Sequence, residues 1–452
     1  MIKVRIYSII SLMLFLSCSD FLDKKPNSRL AIPETLKDLR ALLDNEDQII
    51  RYAPALLEMG NDDIYVRPEV LKSRPEAEQL IYTWQRSELR SDIGSWTSPY
   101  KTIMMCNVVL EALDRGVDGS KVEKETIRGE ALFVRAYAYL ALSQIYCKPY
   151  DRETSEEELG LPLRLSSDFN LKIARSSLTE TYSLIIDDLL HATVLLPESV
   201  SLPTRPSKAA AYAALARTYL YMNLFSEANL AAEEALKMKS NLIDYNSIER
   251  DKSFPFTVFH EEIIYYSFTA NGLLLTAARA HIPKSLFDLY EDNDLRKKLF
   301  FNKSAAGDII FKGYYNGTAA SYFAGIATDE LYLIRAECEA RVGDITVGTQ
   351  LLNALIEKRW AQGEFVAYVP TNRDKLLKDV LLERRKQFPR RGLRWSDLRR
   401  LNQESGLETK LVREFDFQGE LEKYELLPRA IQYIYPIPRT IMLWDIYEQN
   451  LI

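Results

Sequence analysis

The stretch from Ser207 to Met238, SKAAAYAALARTYLYMNLFSEANLAAEEALKM, constrains the fold more than any other part of the chain. Its aromatic and small residues run as Tyr212-x2-Leu215-Ala216-x2-Tyr219, followed by Ala228-x3-Ala232 and Ala235. On two successive helices this spacing puts the small side chains on facing stripes and the aromatics beside them. Alanine lets antiparallel helices approach closely, the rings fill the groove toward a neighbouring pair, and Asn223 falls where the chain must turn. A single pair of this kind cannot bury its own face, so further pairs are required.

The spacing is that of the tetratricopeptide repeat, and two weaker copies are readable. DELYLIRAECEARVGDITVGTQLLNALIEKRW carries Tyr332-x2-Arg335-Ala336, a turn at Gly343-Asp344, and Gly348-x3-Leu352-x2-Leu355. IRGEALFVRAYAYLALSQIY, with Arg135-Ala136, finds its partner SLTETYSLIIDDLLHATVLLP only after an insertion. The expected fold class is mainly α, a tetratricopeptide-like scaffold packed against an irregular, loop-rich subdomain with short strands. Helix pairs are expected at about 97–147 with 177–197, at 207–239 and at 328–360, with a closing helix at about 373–388. The segment at about 40–96 and that at 240–327, the latter rich in Phe, Tyr, Asn and Gly, are expected to form a second layer, and 402–452 to be irregular. Long non-repeat segments on such a scaffold commonly carry binding sites.

The N-terminus has a different character. Lys3 and Arg5 precede an apolar run from Ile6 to Leu16, which ends at Ser17-Cys18. That run is too short to span a bilayer core and suits the apolar region of a secretory signal. A small residue and then cysteine at its end resembles the bacterial lipobox. Residues 1–17 are therefore expected to be a signal peptide, with a single domain over 18–452 anchored by lipid on Cys18. Acyl chains hold a domain to a membrane surface without a spanning helix. The remaining cysteines, Cys106, Cys147 and Cys338, are odd in number, sit in apolar helical contexts and are expected to be buried thiols. A net charge of −6 argues against nucleic acid as a partner.

Several stretches, in order, resemble the SusD/RagB family of outer-membrane lipoproteins. They are SDFLDKKP after the lipobox, SWTSPYKTIMMCNVVLEAL, GEALFVRAYAYLAL, DELYLIRAECEARVGD, ERRKQFPRRGLRWSDLRRLN and the closing YPIPRT. Pro389-Arg390-Arg391 stands where many members carry an acidic residue before the glycine. The resemblance implies a surface-exposed lipoprotein of the cell outer membrane that binds glycan and passes it to a SusC-type TonB-dependent transporter, without catalysis; the residues themselves point to no cofactor and to no metal-ligand set, and leave open whether a metal ion assists binding. A peptide-binding member, or a lipidated tetratricopeptide scaffold, is the alternative.

The residues agree in what they lack. His191, His260 and His281 stand in unrelated contexts, and no zinc-protease, nucleophile-elbow, P-loop or dinucleotide pattern occurs. Asp187 and Asp188, in a repeat helix, are expected to be solvated. Asp62 and Asp63, after Gly60-Asn61, are placed in a loop and are candidates for accepting sugar hydroxyls. Aromatic residues make up 11% of the chain, and flat rings recognise the apolar faces of sugars. Trp360, Trp395 and Trp444 are expected to pack inside. Trp84 and Trp96 flank the polar QRSELRSDIGS, and Tyr314, Tyr315 and Tyr322 flank NGTAAS. The resemblance puts the ligand face in these two regions, so these five aromatics join Asp62 and Asp63 as the expected binding set. The basic run between Arg384 and Arg400 is read as structural, its side chains near helix ends and solvent and paired with acids of neighbouring repeats.

Overall fold

The computed structural model describes residues 33–85, 92–270, 273–417, 419–445 and 447–450. Cys18 and the expected signal peptide, residues 1–17, lie outside these residues. Among the described residues, no helix is long and apolar enough to cross a membrane.

After a short helix α1 (Leu36–Leu43) and several single turns, the helical layer begins with α2 (Thr97–Asp114) and α3 (Lys121–Tyr146). It continues through α4 (Leu178–Leu195), α5 (Lys208–Tyr221) and α6 (Phe225–Met238). It closes with α7 (Thr328–Val342), α8 (Ile345–Glu357), α9 (Arg373–Gln387) and the shorter α10 (Arg394–Leu401). Each helix from α2 to α8 packs on its predecessor, consistent with the tetratricopeptide type of stack.

The starts and stops follow from local chemistry. Ser120, Ser177 and Ser207 cap α3, α4 and α5, each hydroxyl accepting from a backbone N–H in the first turn, and Glu180 completes a capping box at Ser177. Asn223 adopts a left-handed φ of 59° between α5 and α6, a conformation asparagine tolerates better than most residues. Asp344 caps α8 through the Thr346 N–H at 2.7 Å. Where α3 meets the end of α4, a Cβ built on Gly129 would lie 2.9 Å from the Leu195 Cβ and 3.1 Å from the Leu196 Cγ. The close approach depends on that missing methyl. Gly129→Ile is expected to cost about 1–3 kcal/mol by overpacking, measured as a lower urea midpoint at unchanged slope.

The second layer is built from short antiparallel ladders. β1 (Tyr65–Val66) pairs with β4 (Ala280–His281), β2 (Ile263–Tyr265) with β8 (Ile326–Ala327), β3 (Phe268–Ala270) with β7 (Ser321–Phe323), and β5 (Phe301–Lys303) with β6 (Ile309–Phe311). One apolar core is shared between these pieces and the inner faces of α2 to α7.

Three expectations change at this level. The C-terminal stretch is not irregular throughout: β9 (Leu411–Phe417) and β10 (Glu420–Leu426) form a hairpin with seven paired positions, from Leu411↔Leu426 to Phe417↔Glu420. Its inward side chains are Leu411, Arg413 and Phe415, and the arginine interrupts the apolar alternation that marks a strand. Asp188 is buried rather than solvated, and accepts two hydrogen bonds from the Arg135 guanidinium at 2.8 Å each. Asp187 does face solvent. The basic run is interior: Arg384 pairs with Asp397, Arg391 with Asp329, Arg394 with Asp62 and Arg400 with Glu337. Buried carboxylates on α7, α10 and the 62–63 segment draw these arginines inward, where each ion needs a partner.

Candidate functional site

The expected binding aromatics are inside the protein. Trp84 is 6% exposed and Trp96 5%. The Trp84 indole N–H donates to the Gly60 carbonyl oxygen at 2.7 Å. Trp96 packs against Tyr100, Tyr146 and Tyr447, with ring centroids 4.8, 4.9 and 5.8 Å away. Tyr314 stacks on Tyr322 at 5.7 Å, and both are buried. The buried Tyr315 hydroxyl donates toward Asp329 at 3.0 Å and Glu262 at 3.2 Å, within the network that Arg391 and Arg359 neutralise. Residues far away in sequence cover these rings, and of the five only Trp96 also borders the aromatic surface cleft described below.

Asp62 and Asp63 are likewise engaged. Asp62 accepts from Arg394 at 2.7 and 2.9 Å and pairs with Arg385 at 3.0 Å, while Asp63 accepts from Arg385 at 2.9 and 2.7 Å. Burial pushes the Asp62 carboxyl up, but the Arg394 and Arg385 charges outweigh it and bring it below its ordinary value. Burial dominates at Asp63 and raises it. Their oxygens are spent on guanidinium groups.

The surface offers a different aromatic site. Asp92 accepts from the backbone N–H groups of Trp96 and Thr97 at 3.2 and 2.8 Å, setting the start of α2. The first turns of α2 then place Trp96, Tyr100 and Met104 along the floor of an open cleft of about 270 Å³. One wall is the loop after α3, with Arg164, Ser166 and Phe169; the other is the C-terminal segment with Ile441, Trp444, Asp445 and Tyr447. Trp444 is 82% exposed and Phe169 77%. The expectation that Trp444 packs inside is therefore corrected. The last helical turn among the described residues ends at Met442, two residues before Trp444.

The walls are held by polar bonds that trace to the helical array. Arg135, fixed by Asp188, donates to the Asn107 side-chain oxygen at 2.9 Å, and the Asn107 amide donates to the Arg164 carbonyl oxygen at 2.9 Å. Ser167 N–H donates to Glu111 at 2.8 Å. Across the cleft, Asp445 bonds Arg164 at 3.0 Å, Lys172 at 3.1 Å and the Tyr447 hydroxyl at 2.9 Å. Partial burial pushes the Asp445 carboxyl up, but the bonds from Tyr447 and Lys172 and the Arg164 charge bring it below its ordinary value. It stays ionised near neutrality and ties the two walls together.

The result is two exposed rings over an apolar floor, edged by amide, hydroxyl and charged groups. That arrangement stacks on a flat apolar face and hydrogen-bonds around its rim. Asp445 is the one carboxylate among the described lining residues, whereas glycoside hydrolysis uses two. No group of three or more His, Cys, Asp or Glu is disposed to hold a metal ion among the described residues.

Fold and cleft together define a class: a helical-repeat scaffold with a loop-rich layer and a surface aromatic cleft at the start of its first long helix. A model of the family described as "SusD-like_3: Starch-binding associating with outer membrane" matches residues 20–220. A SusD-like protein from Bacteroides ovatus is 24% identical over 319 residues, covering 68% of this chain and 54% of its own length. The chain thus spans about half the length of that curated relative. A putative sugar-binding protein from Bacteroides vulgatus superposes with a TM-score of 0.75 at 21% identity, over 93% of this chain and 99% of its own. A SusD superfamily protein from Bacteroides thetaiotaomicron also scores 0.75, at 20% identity, over 92% and 100%. A laminarin-binding SusD-like protein scores 0.67 at 16% identity, over 91% and 97%. The chain is similar to SusD-like proteins in sequence over residues 20–220 and shares their fold over nearly its whole length.

Proposed function

We propose that this protein binds glycan at the bacterial cell surface without chemically altering it, held to the outer membrane by lipid on Cys18, and delivers the glycan to a SusC-type TonB-dependent transporter. The observation that carries the binding reading is the pair of exposed rings, Trp444 and Phe169, set over the Trp96–Tyr100 floor. Large apolar side chains held in the open, beside fixed polar groups, mark a surface that meets a partner or ligand. The SusD-like fold and the matched family's description support a sugar as that ligand. A single ion-paired carboxylate in the cleft supports binding without turnover.

Protein lacking residues 1–18, tested by affinity electrophoresis and calorimetry against starch, laminarin, other plant and host glycans and a peptide mixture, is expected to bind at least one glycan and release no product. Binding to peptide alone would favour the peptide-importing alternative. Release of shortened sugars would contradict the non-catalytic reading.

A further inference from the structure

A second cleft, of about 330 Å³, lies where the start of the β9–β10 hairpin faces the segment following Asp62 and the Pro283–Ser285 turn. Its inner wall includes Arg413, which occupies an inward position between the buried Leu411 and Phe415 and is only 7% exposed. Hairpin alternation calls for an apolar side chain there. The guanidinium carbon instead lies 3.5 Å from the Tyr82 ring centroid and 4.3 Å from that of Trp84. Its Nη2 donates to the Asn61 carbonyl oxygen, its Nη1 has no partner, and no carboxylate pairs with it among the described residues.

The other buried arginines of this region are accounted for differently. Arg384, Arg391, Arg394 and Arg400 each have a carboxylate. Arg399 lies among the carbonyls that end α3. Arg390, bonded to the Ala280 and His281 carbonyls, borders a void of only about 10 Å³. Arg413 alone among these seven combines a missing counter-charge with a cleft large enough to take one. Burial holds its guanidinium below its ordinary pKa, as expected for a cation without an anion.

The rest of the cleft suits an anion carried on a sugar. Trp84, which backs Arg413, is held at a left-handed φ of 55°, a conformation a tryptophan adopts only under constraint from its surroundings. Tyr65 is half exposed at the rim, and Ser285 and Thr409 supply hydroxyls. Lys410 reaches the rim from a solvent-exposed pair with Glu425. Of the two carboxylates on the lining, Asp62 is taken by Arg394 and Arg385, and Glu414 is half exposed near Lys423.

Resting on the glycan-binding reading, we infer that this cleft binds the carboxylate of a uronic acid residue, with Arg413 as its counter-charge and Lys410 at the rim. Full-length protein purified in detergent is titrated with oligogalacturonate, oligoalginate and oligoglucuronate, with their carboxyl-reduced, neutral counterparts and with short peptides bearing a free C-terminal carboxylate. At least one acidic oligosaccharide is expected to bind tenfold or more tighter than its reduced form, with affinity falling as salt rises. Arg413→Met removes an unpaired buried charge, so it should fold with an equal or higher melting temperature and lose that preference. Lys410→Glu, at an exposed position, should reduce the preference at least threefold and keeps the test decisive if the first variant misfolds.

Equal binding of acidic and reduced sugars, or a preference that survives in the variants, overturns the inference and leaves glycan binding at the aromatic cleft intact. Carboxylate-dependent binding of peptide alone also overturns it. Failure of every saccharide, acidic and neutral, defeats the glycan reading itself.

Discussion

Replacing Trp444 by alanine is expected to weaken glycan binding about thirtyfold, a loss of about 2 kcal/mol, while leaving the thermal midpoint unchanged. The separation of the two effects follows from its position. The indole is 82% exposed, so its removal opens no cavity and strips no apolar surface from the core. What it removes is the open ring face beside Phe169. Phe169→Ala should act in the same direction by a smaller amount, and the double variant should bind below detection. Trp395→Ala provides the contrast: that ring is fully buried against Tyr433 and Tyr435, and its loss costs about 3–5 kcal/mol of stability. Calorimetry beside differential scanning measurements separates the two cases. A Trp444 variant that binds normally would remove the cleft from the account.

Glu337→Ala is expected to destabilise the fold by about 3–5 kcal/mol. Glu337, wholly buried on α7, accepts from the Arg400 guanidinium at 2.6 and 2.8 Å and from Arg341 at 2.8 Å. Alanine would leave Arg400 with only Asp397 and Arg341 with only Glu404. The same site sets a pH dependence. Burial pushes the Glu337 carboxyl up, but Arg400 and Arg341 prevail and bring it from 4.5 to about 2. A carboxyl whose pKa is lower folded than unfolded stabilises the native state above its unfolded value. That contribution, on the order of 3 kcal/mol, is lost as the pH falls from about 4.5 toward 2. Urea midpoints should therefore drop across this window in the wild type and more shallowly in Glu337→Gln. Equal slopes in the two proteins would show that Glu337 does not govern the acid transition.

The helical layer was legible because its signals are local. Ser177 and Ser207 announce helix starts within three residues of the N–H groups they cap, Asn223 and Gly343-Asp344 mark turns, and alanine spacing shows which faces meet. The placement of aromatic rings was not legible, since it depends on what arrives from elsewhere in the chain. Polar neighbours around Trp84 and Trp96 suggested exposure, yet Gly60 and Tyr447 close over them. Trp444 reads as one more apolar residue in IMLWDIY, and only the early end of its helical turn leaves it outside. The cleft joins α2, the loop after α3 and the C-terminal segment, three pieces that share no spacing a sequence could display. Arg413 hid the hairpin for a related reason, because a charge at an inward position erases the alternation by which a strand is recognised.

Collisional quenching by acrylamide, with and without saturating glycan, tests the central claim most directly. Trp84, Trp96 and Trp395 are buried and Trp360 is partly so, which leaves Trp444 as the indole a small quencher reaches most readily. Glycan stacked in the cleft is predicted to lower the quenching constant of the wild type and to leave that of Trp444→Phe unchanged. Glycan binding seen by calorimetry without any protection of Trp444 would contradict the account and place the ligand elsewhere on the surface.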